Sequence, residues 1–208
     1  MSVLNVVLYP DDPLTKVASP IDKIGPKVQQ LAEDMFETMY ENEGVGLAGP
    51  QVGVTKRIFV LHEPDGPKMC FINPEIAELE GQEEGQEGCL SLPEIYVQVP
   101  RATRLRVRAM DEHGKPIDFV ATGFLARIIQ HEFDHLNGKI MLDNIDVLTR
   151  HAKLQEWDEI RQRVIADGAV GGEHVIGPLE GHLLERMGAR EDRNRGGAFV
   201  PRETATGN

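Results

Sequence analysis

The chain is short of three things, and each shortage narrows what it can be. It has two cysteines, Cys70 and Cys89, in 208 residues, too few for a disulfide framework. It has no long hydrophobic run. The apolar stretch 3–9 is far too short to cross a bilayer, and residues 1–10 hold no recognisable secretory core. It is also poor in positive charge, with 22 Lys and Arg against 34 Asp and Glu, a formal net charge of −12 and a pI near 5.0. That balance works against unaided binding to a nucleic-acid backbone, which calls for clustered cations. The expectation is a cytoplasmic, reduced protein with no membrane contact and no direct nucleic-acid partner, acting on a small or peptidic substrate. In such a compartment Cys89 stays available as a thiolate.

With 40% hydrophobic residues the chain is long enough for one domain with a sizeable core. Helical spacing of Val28, Leu31, Ala32, Met35, Phe36 and Met39 predicts a first helix over 26–42, opened by Pro26. A short strand is expected at Leu8-Tyr9-Pro10. Strands over 54–61 and 69–73 flank the turn Glu63-Pro64-Asp65-Gly66-Pro67 and should pair as a hairpin, with Cys70 a small buried hydrophobe. An acidic loop is expected over 78–87, then strands over 96–99, 105–109 and 117–121. Helices follow over 123–137, with Gly138 as its C-terminal cap, and over 147–166, where Leu148, Ala152, Trp157, Ile160 and Val164 mark a packing face. From residue 167 the composition shifts to Gly, Glu and Arg, so 1–166 reads as the catalytic domain and 167–208 as a tail.

Chemistry concentrates in Gln130-His131-Glu132-Phe133-Asp134-His135-Leu136-Asn137-Gly138. At 3.6 residues per turn His131 and His135 share one helical face and can share one metal ion, while Glu132 can reach a water on it. Phe124, Leu125, Ile128, Ile129, Phe133 and Leu136 make the segment apolar over a wide arc, so the histidines should be partly buried and in need of partners. A third ligand is required. In the longer HExxHxxGxxH motif it would fall at Met141, whose thioether suits a hard or borderline cation poorly. Cys89, in Glu87-Gly88-Cys89-Leu90-Ser91-Leu92-Pro93, is the best candidate.

The run Gly44-Val45-Gly46-Leu47-Ala48-Gly49-Pro50-Gln51 formally contains GxGxxG. A helix precedes it and Pro50 closes it, which is the wrong setting for a dinucleotide. Bare glycines there instead let another backbone approach, as when an extended peptide adds to a strand edge.

GVGLAGPQ, EGCLSLP and QHEFDHLNG, in that order, resemble the signature of the peptide deformylases, and the likeness covers roughly residues 1–150. These metalloenzymes remove the formyl group from the initiator methionine of nascent chains. The resemblance implies an α+β fold, with mixed or antiparallel β-sheets packed around a central HExxH-bearing helix and a C-terminal helix and tail. It further implies Cys89, His131 and His135 as metal ligands, Glu132 as general base and acid, and Gln51 with the Leu90 backbone N–H as oxyanion donors. Val45, Gly46, Glu87, Gly88, Phe124 and Ile128 would bind substrate. One divalent ion per chain is implied, Fe(II) in bacterial members, with Zn(II), Ni(II) or Co(II) as substitutes. The partner would be a formylated nascent peptide, with a transient ribosome contact through the C-terminal helix or tail; the oligomeric state is left open. One departure is Gly49, where the family usually has alanine; it is expected to loosen the loop that aims Gln51.

Two other readings stand beside this one. A metallopeptidase cutting internal peptide bonds would take His151 or a downstream acid as third ligand. A catalytically silent relative would only bind formylated chains.

Overall fold

The computed structural model describes residues 2–166, so the tail expected over 167–208 lies outside the described residues. Helix α1 is Pro26–Glu41, opened by its proline at a position where a missing N–H costs nothing. Strands β1 (Gly46–Ala48), β2 (Ile58–His62), β3 (Lys68–Glu80), β6 (Arg104–Met110) and β7 (Pro116–Thr122) form one sheet in the order β1-β2-β3-β6-β7, antiparallel throughout. Strands β4 (Glu83–Cys89) and β5 (Leu92–Arg101) form a separate hairpin. Helices α2 (Gly123–Leu136) and α3 (Val147–Ala166) complete an α+β architecture of the kind expected.

The central strands are apolar on both sides because both sides are covered. In β2, Phe59 and Leu61 face one layer and Ile58 and Val60 the other, the two-residue alternation of a pleat. Phe59 and Leu61 join Phe71, Leu105 and Val107 against Ala126, Ile129 and Leu136 of α2. Ile58, Val60, Cys70 and Ile72 pack with Ala32, Met35 and Met39 of α1. Cys70 is thus a buried hydrophobe of the α1 layer, as expected. A third core joins Leu92, Ile95, Val97 and Val99 of the hairpin to Leu142 and to Trp157 and Val164 of α3. Met141, in the position of the longer motif's last histidine, is buried in this core.

Three local expectations are corrected. Residues 8–10 form no strand; Pro10 brings no N–H, and the segment is tied down singly, by Tyr9 N–H to Ser91 O (3.0 Å) and Trp157 Nε1–H to Tyr9 O (2.9 Å). The acidic stretch 78–87 is mostly strand: Glu80 lies opposite Arg104 across the β3–β6 ladder, and Glu78, in the register shift beside it, reaches Arg106 at 3.7 Å, so opposite charges support the pairing. Leu148, 83% exposed, and Ala152, also exposed, lie off the packing face of α3, where Asp146 caps the N–H groups of Leu148 and Thr149.

Candidate metal centre

The site forms where the hairpin closes on α2. Cys89 is the last residue of β4, and its register with β5 shifts between Glu87 and Cys89, at Gly88. A Cβ at Gly88 would stand 2.8 Å from the Tyr96 ring, so only glycine fits beneath that ring. Across the gap, α2 presents His131 and His135 one turn apart, their ring centres 5.0 Å from each other. One donor atom each from Cys89, His131 and His135 lies within 4.8 Å of the others. Cys89 Sγ is 3.4 Å from His135 Nε2. His131 turns its Nδ1 to the Glu87 carboxylate at 2.9 Å, leaving Nε2 to the centre.

These donors suit a borderline divalent cation, since one sulfur and two imidazole nitrogens at this separation match the ligand set of first-row transition metals. A second observation agrees. Glu132 is 3% exposed, and its Oε2 has no hydrogen-bond partner among the described residues, an uncommon state for a buried acid unless a water or an ion completes it. Burial pushes its pKa up to about 7. Its carboxylate lies directly on Gly46, where any Cβ would collide with it. Burial likewise holds the His135 imidazole well below its ordinary pKa, with His131 adding to the effect.

Gln51 enters from the turn Gly49–Val52 that follows β1. Its Oε1 accepts from the Ala48 N–H at 2.8 Å, which aims Nε2 at Cys89 Sγ, 3.5 Å away. Gly49 does not loosen this loop. A Cβ there would come within 2.7 Å of Val54 O and 2.9 Å of Lys56 O, so the missing side chain lets two backbones close tightly. Val54 N–H bonds Gly49 O at 2.9 Å across that contact.

Val45, Gly46, Gln51, Glu87, Gly88, Cys89, Leu90, Phe124, Ile128, His131 and Glu132 all border one cavity, with His135 fully buried behind it. The structure therefore brings together every residue that the three motifs nominate, although they come from separate stretches of chain. His151 is exposed on α3. Glu87 has a place its motif did not announce. Its carboxylate accepts from His131, from Arg101 Nε (2.9 Å) and Nη2 (3.0 Å), and from Arg127 Nη1 (2.9 Å). Burial alone would raise its pKa, and the hydrogen bonds from His131 and Arg101 reverse this, holding it well below the usual carboxylate range. Arg101 also donates to Asp134 at 2.6 Å, where Asn144 adds a bond at 2.8 Å. Sequence reasoning missed Arg101, although a signal existed: it shares the inward parity of Ile95, Val97 and Val99, and a charge on a buried face requires partners.

The family model described as polypeptide deformylase matches residues 3–151. The chain belongs to the polypeptide deformylase family. It is 44% identical over 162 residues to the peptide deformylase of Tolumonas auensis, covering 77% of this chain and 97% of that one. The crystal structure of a peptide deformylase from Legionella pneumophila superposes with a TM-score of 0.73 at 38% identity, covering 77% of this chain and 96% of the other. That of the Ehrlichia chaffeensis enzyme in complex with actinonin gives 0.74 at 37% identity, with 76% and 98% covered. As a deformylase the chain is a metal-dependent hydrolase that removes the formyl group from nascent polypeptides, and its substrate is a formylated peptide. No helix among the described residues is long and apolar enough to cross a membrane.

Proposed function

We propose that Cys89, His131 and His135 hold the ion, that Glu132 carries the proton, and that Gln51 and the Leu90 N–H receive the formyl oxygen. The observation that carries this reading is the meeting of one sulfur and two imidazole donors within 4.8 Å, beside a buried carboxylate with an unpartnered oxygen. When bound, the ion supplies Lewis-acid polarisation of a water and of the formyl carbonyl. Glu132, with a pKa brought near neutrality, takes a proton from the attacking water and returns it to the leaving amine. Negative charge gathers on the formyl oxygen, where Gln51 Nε2–H, pre-aimed through its bond from Ala48, donates; one such donor is worth about 3 kcal/mol. Water and formamide thereby become formate and a free N-terminal amine.

The substrate's first side chain enters the cavity between Val45 and Gly46 on one side and Phe124 and Ile128 of α2 on the other. Its backbone lies as an added strand against Gly46 and Gly88, which offer main chain and no side chain. Glu87 borders the cavity, while its carboxylate is engaged with His131. The proposed ion is Fe(II), with Zn(II), Ni(II) or Co(II) as substitutes, because a sulfur and two nitrogens suit all four. The same reading places the protein in the cytoplasm, in passing contact with the ribosome that presents its substrate.

Formate release from formyl-Met-Ala-Ser, assayed without air and with added Fe(II) or Ni(II), tests this. Glu132→Ala should lower turnover by about 10²–10⁴-fold or more with metal retained, and Cys89→Ala should lose the metal. The opposite assignment of losses would reject these roles. Tight peptide binding by the metal-loaded protein with no formate released would mark a silent relative.

A further inference from the structure

Arg127 belongs to none of the motif positions, yet its side chain is tied to four groups of the hairpin from its place on the cavity wall. It sits on α2 one turn before His131, and its guanidinium ends on the hairpin. Nη2 donates to Glu83 O at 2.7 Å; Nη1 donates to Val99 O at 2.8 Å and to Glu87 Oε1 at 2.9 Å, with a longer contact to Gly85 O at 3.4 Å. Gly85 is its floor. A Cβ at Gly85 would stand 2.8 Å from the guanidinium carbon and 2.9 Å from Nη2, so the planar group needs bare backbone beneath it. A fork held at both nitrogens, with a side chain 13% exposed, is fixed in place.

What it separates gives this clamp its meaning. On one side is the cavity of about 90 Å³ that borders the candidate metal ligands. On the other is a second hollow of about 170 Å³, bounded by Glu83, Gly85, Ala102, Thr103 and Gly123. Phe124 and Arg127 border both, and so form the partition between them.

We infer that Arg127 is a specificity-determining residue whose clamped side chain sets how long a substrate side chain the cavity admits. The inference rests on reading that cavity as the methionine pocket. Methionine fits against the partition, and a longer unbranched chain meets it. Shortening residue 127 joins the two hollows and removes the limit.

The test uses the metal-loaded full chain and peptides formyl-X-Ala-Ser, with X methionine, norleucine or 2-aminooctanoic acid. In Arg127→Leu the kcat/KM ratio of the aminooctanoyl to the methionyl peptide should rise by about tenfold or more, mainly through KM. In Arg127→Lys, whose long stem refills the partition, the ratio should fall back towards that of the parent. A ratio unchanged in Arg127→Leu overturns the inference, including the case in which all three peptides lose activity in proportion, as a merely structural role would give. Should Arg127→Leu not fold, Gly85→Ala displaces the guanidinium from its floor and must also change the ratio; constancy there overturns it equally. Failure of the parent to release formate from the methionyl peptide would instead reject the deformylase roles proposed above.

Discussion

Two clusters of charged side chains in this protein use the same residue types in different surroundings. On the sheet face turned away from α2, Arg104 pairs with Glu80, and Arg106 and Arg108 converge on Asp118, with side chains between 36% and 64% exposed. Between the hairpin and α2, Arg101 and Arg127 converge on Glu87 with side chains 5%, 13% and 5% exposed. Water screens the first set, so each pair adds little beyond what solvation already offered. The second set has given up its water, and each charge depends on the others, so deleting one strands the rest. The inner cluster also has a use the outer one lacks. Its central carboxylate fixes which nitrogen of His131 faces the candidate metal site.

That contrast can be broken at several points. The largest effect is expected from Glu87→Ala, which takes from two buried guanidinium groups the carboxylate they share, leaving them only Asp134 and backbone carbonyls, and takes from His131 its orienting bond. Stability should fall by about 3–5 kcal/mol and metal affinity by about 10–100-fold, read from urea unfolding and from chelator competition. Unfolding within error of the parent would show that the inner cluster behaves like the outer one. Arg101→Met is milder, since the apolar stem is kept and Arg127 still reaches Glu87. A loss of about 1–3 kcal/mol is expected, with part of the metal affinity retained.

Acid should expose the same difference. Glu87 has a folded pKa held below its ordinary 4.5, so in the window beneath that value the unfolded chain binds more protons than the folded one. Its contribution is therefore complete above about pH 4.5 and is lost as pH falls through the window. Urea midpoints of Glu87→Gln should depend less steeply on pH there; an unaltered slope would remove Glu87 as the cause. The smallest effect belongs to the outer face. Asp118→Asn should leave the melting temperature unchanged within measurement, and a clear drop would show that exposed ladder to be more than a solvated surface.

Much of the fold and most of the candidate site were legible in the sequence, for identifiable reasons. His131, Glu132 and His135 carry their geometry in their spacing, because a helix makes i and i+4 neighbours. Pro26 marks where α1 begins, and Gly138, at φ +68°, follows the cap of α2. What sequence could not supply was the partner each charged side chain would meet. Glu78 and Glu80 look like loop acids until Arg104 stands opposite Glu80 and Arg106 reaches Glu78. Glu87 looks like one more member of an acidic run, although it shares the buried side of β4 with Cys89. Arg127 looks like a polar helix residue until Gly85 is found beneath it. In each case the meaning lies in a partner distant along the chain.

Cys89 belongs to the layer of the hairpin and α3, whereas His131 and His135 ride on the helix that packs against the five-stranded sheet. A cation joining them would rivet two separately packed bodies at their seam, so its occupancy is linked to their cohesion. Stripping it should speed hydrogen exchange first at amides along β4 and β5, while those of β2 and of Cys70, Phe71 and Ile72 in β3, walled in by helices on either side, open only with the whole molecule.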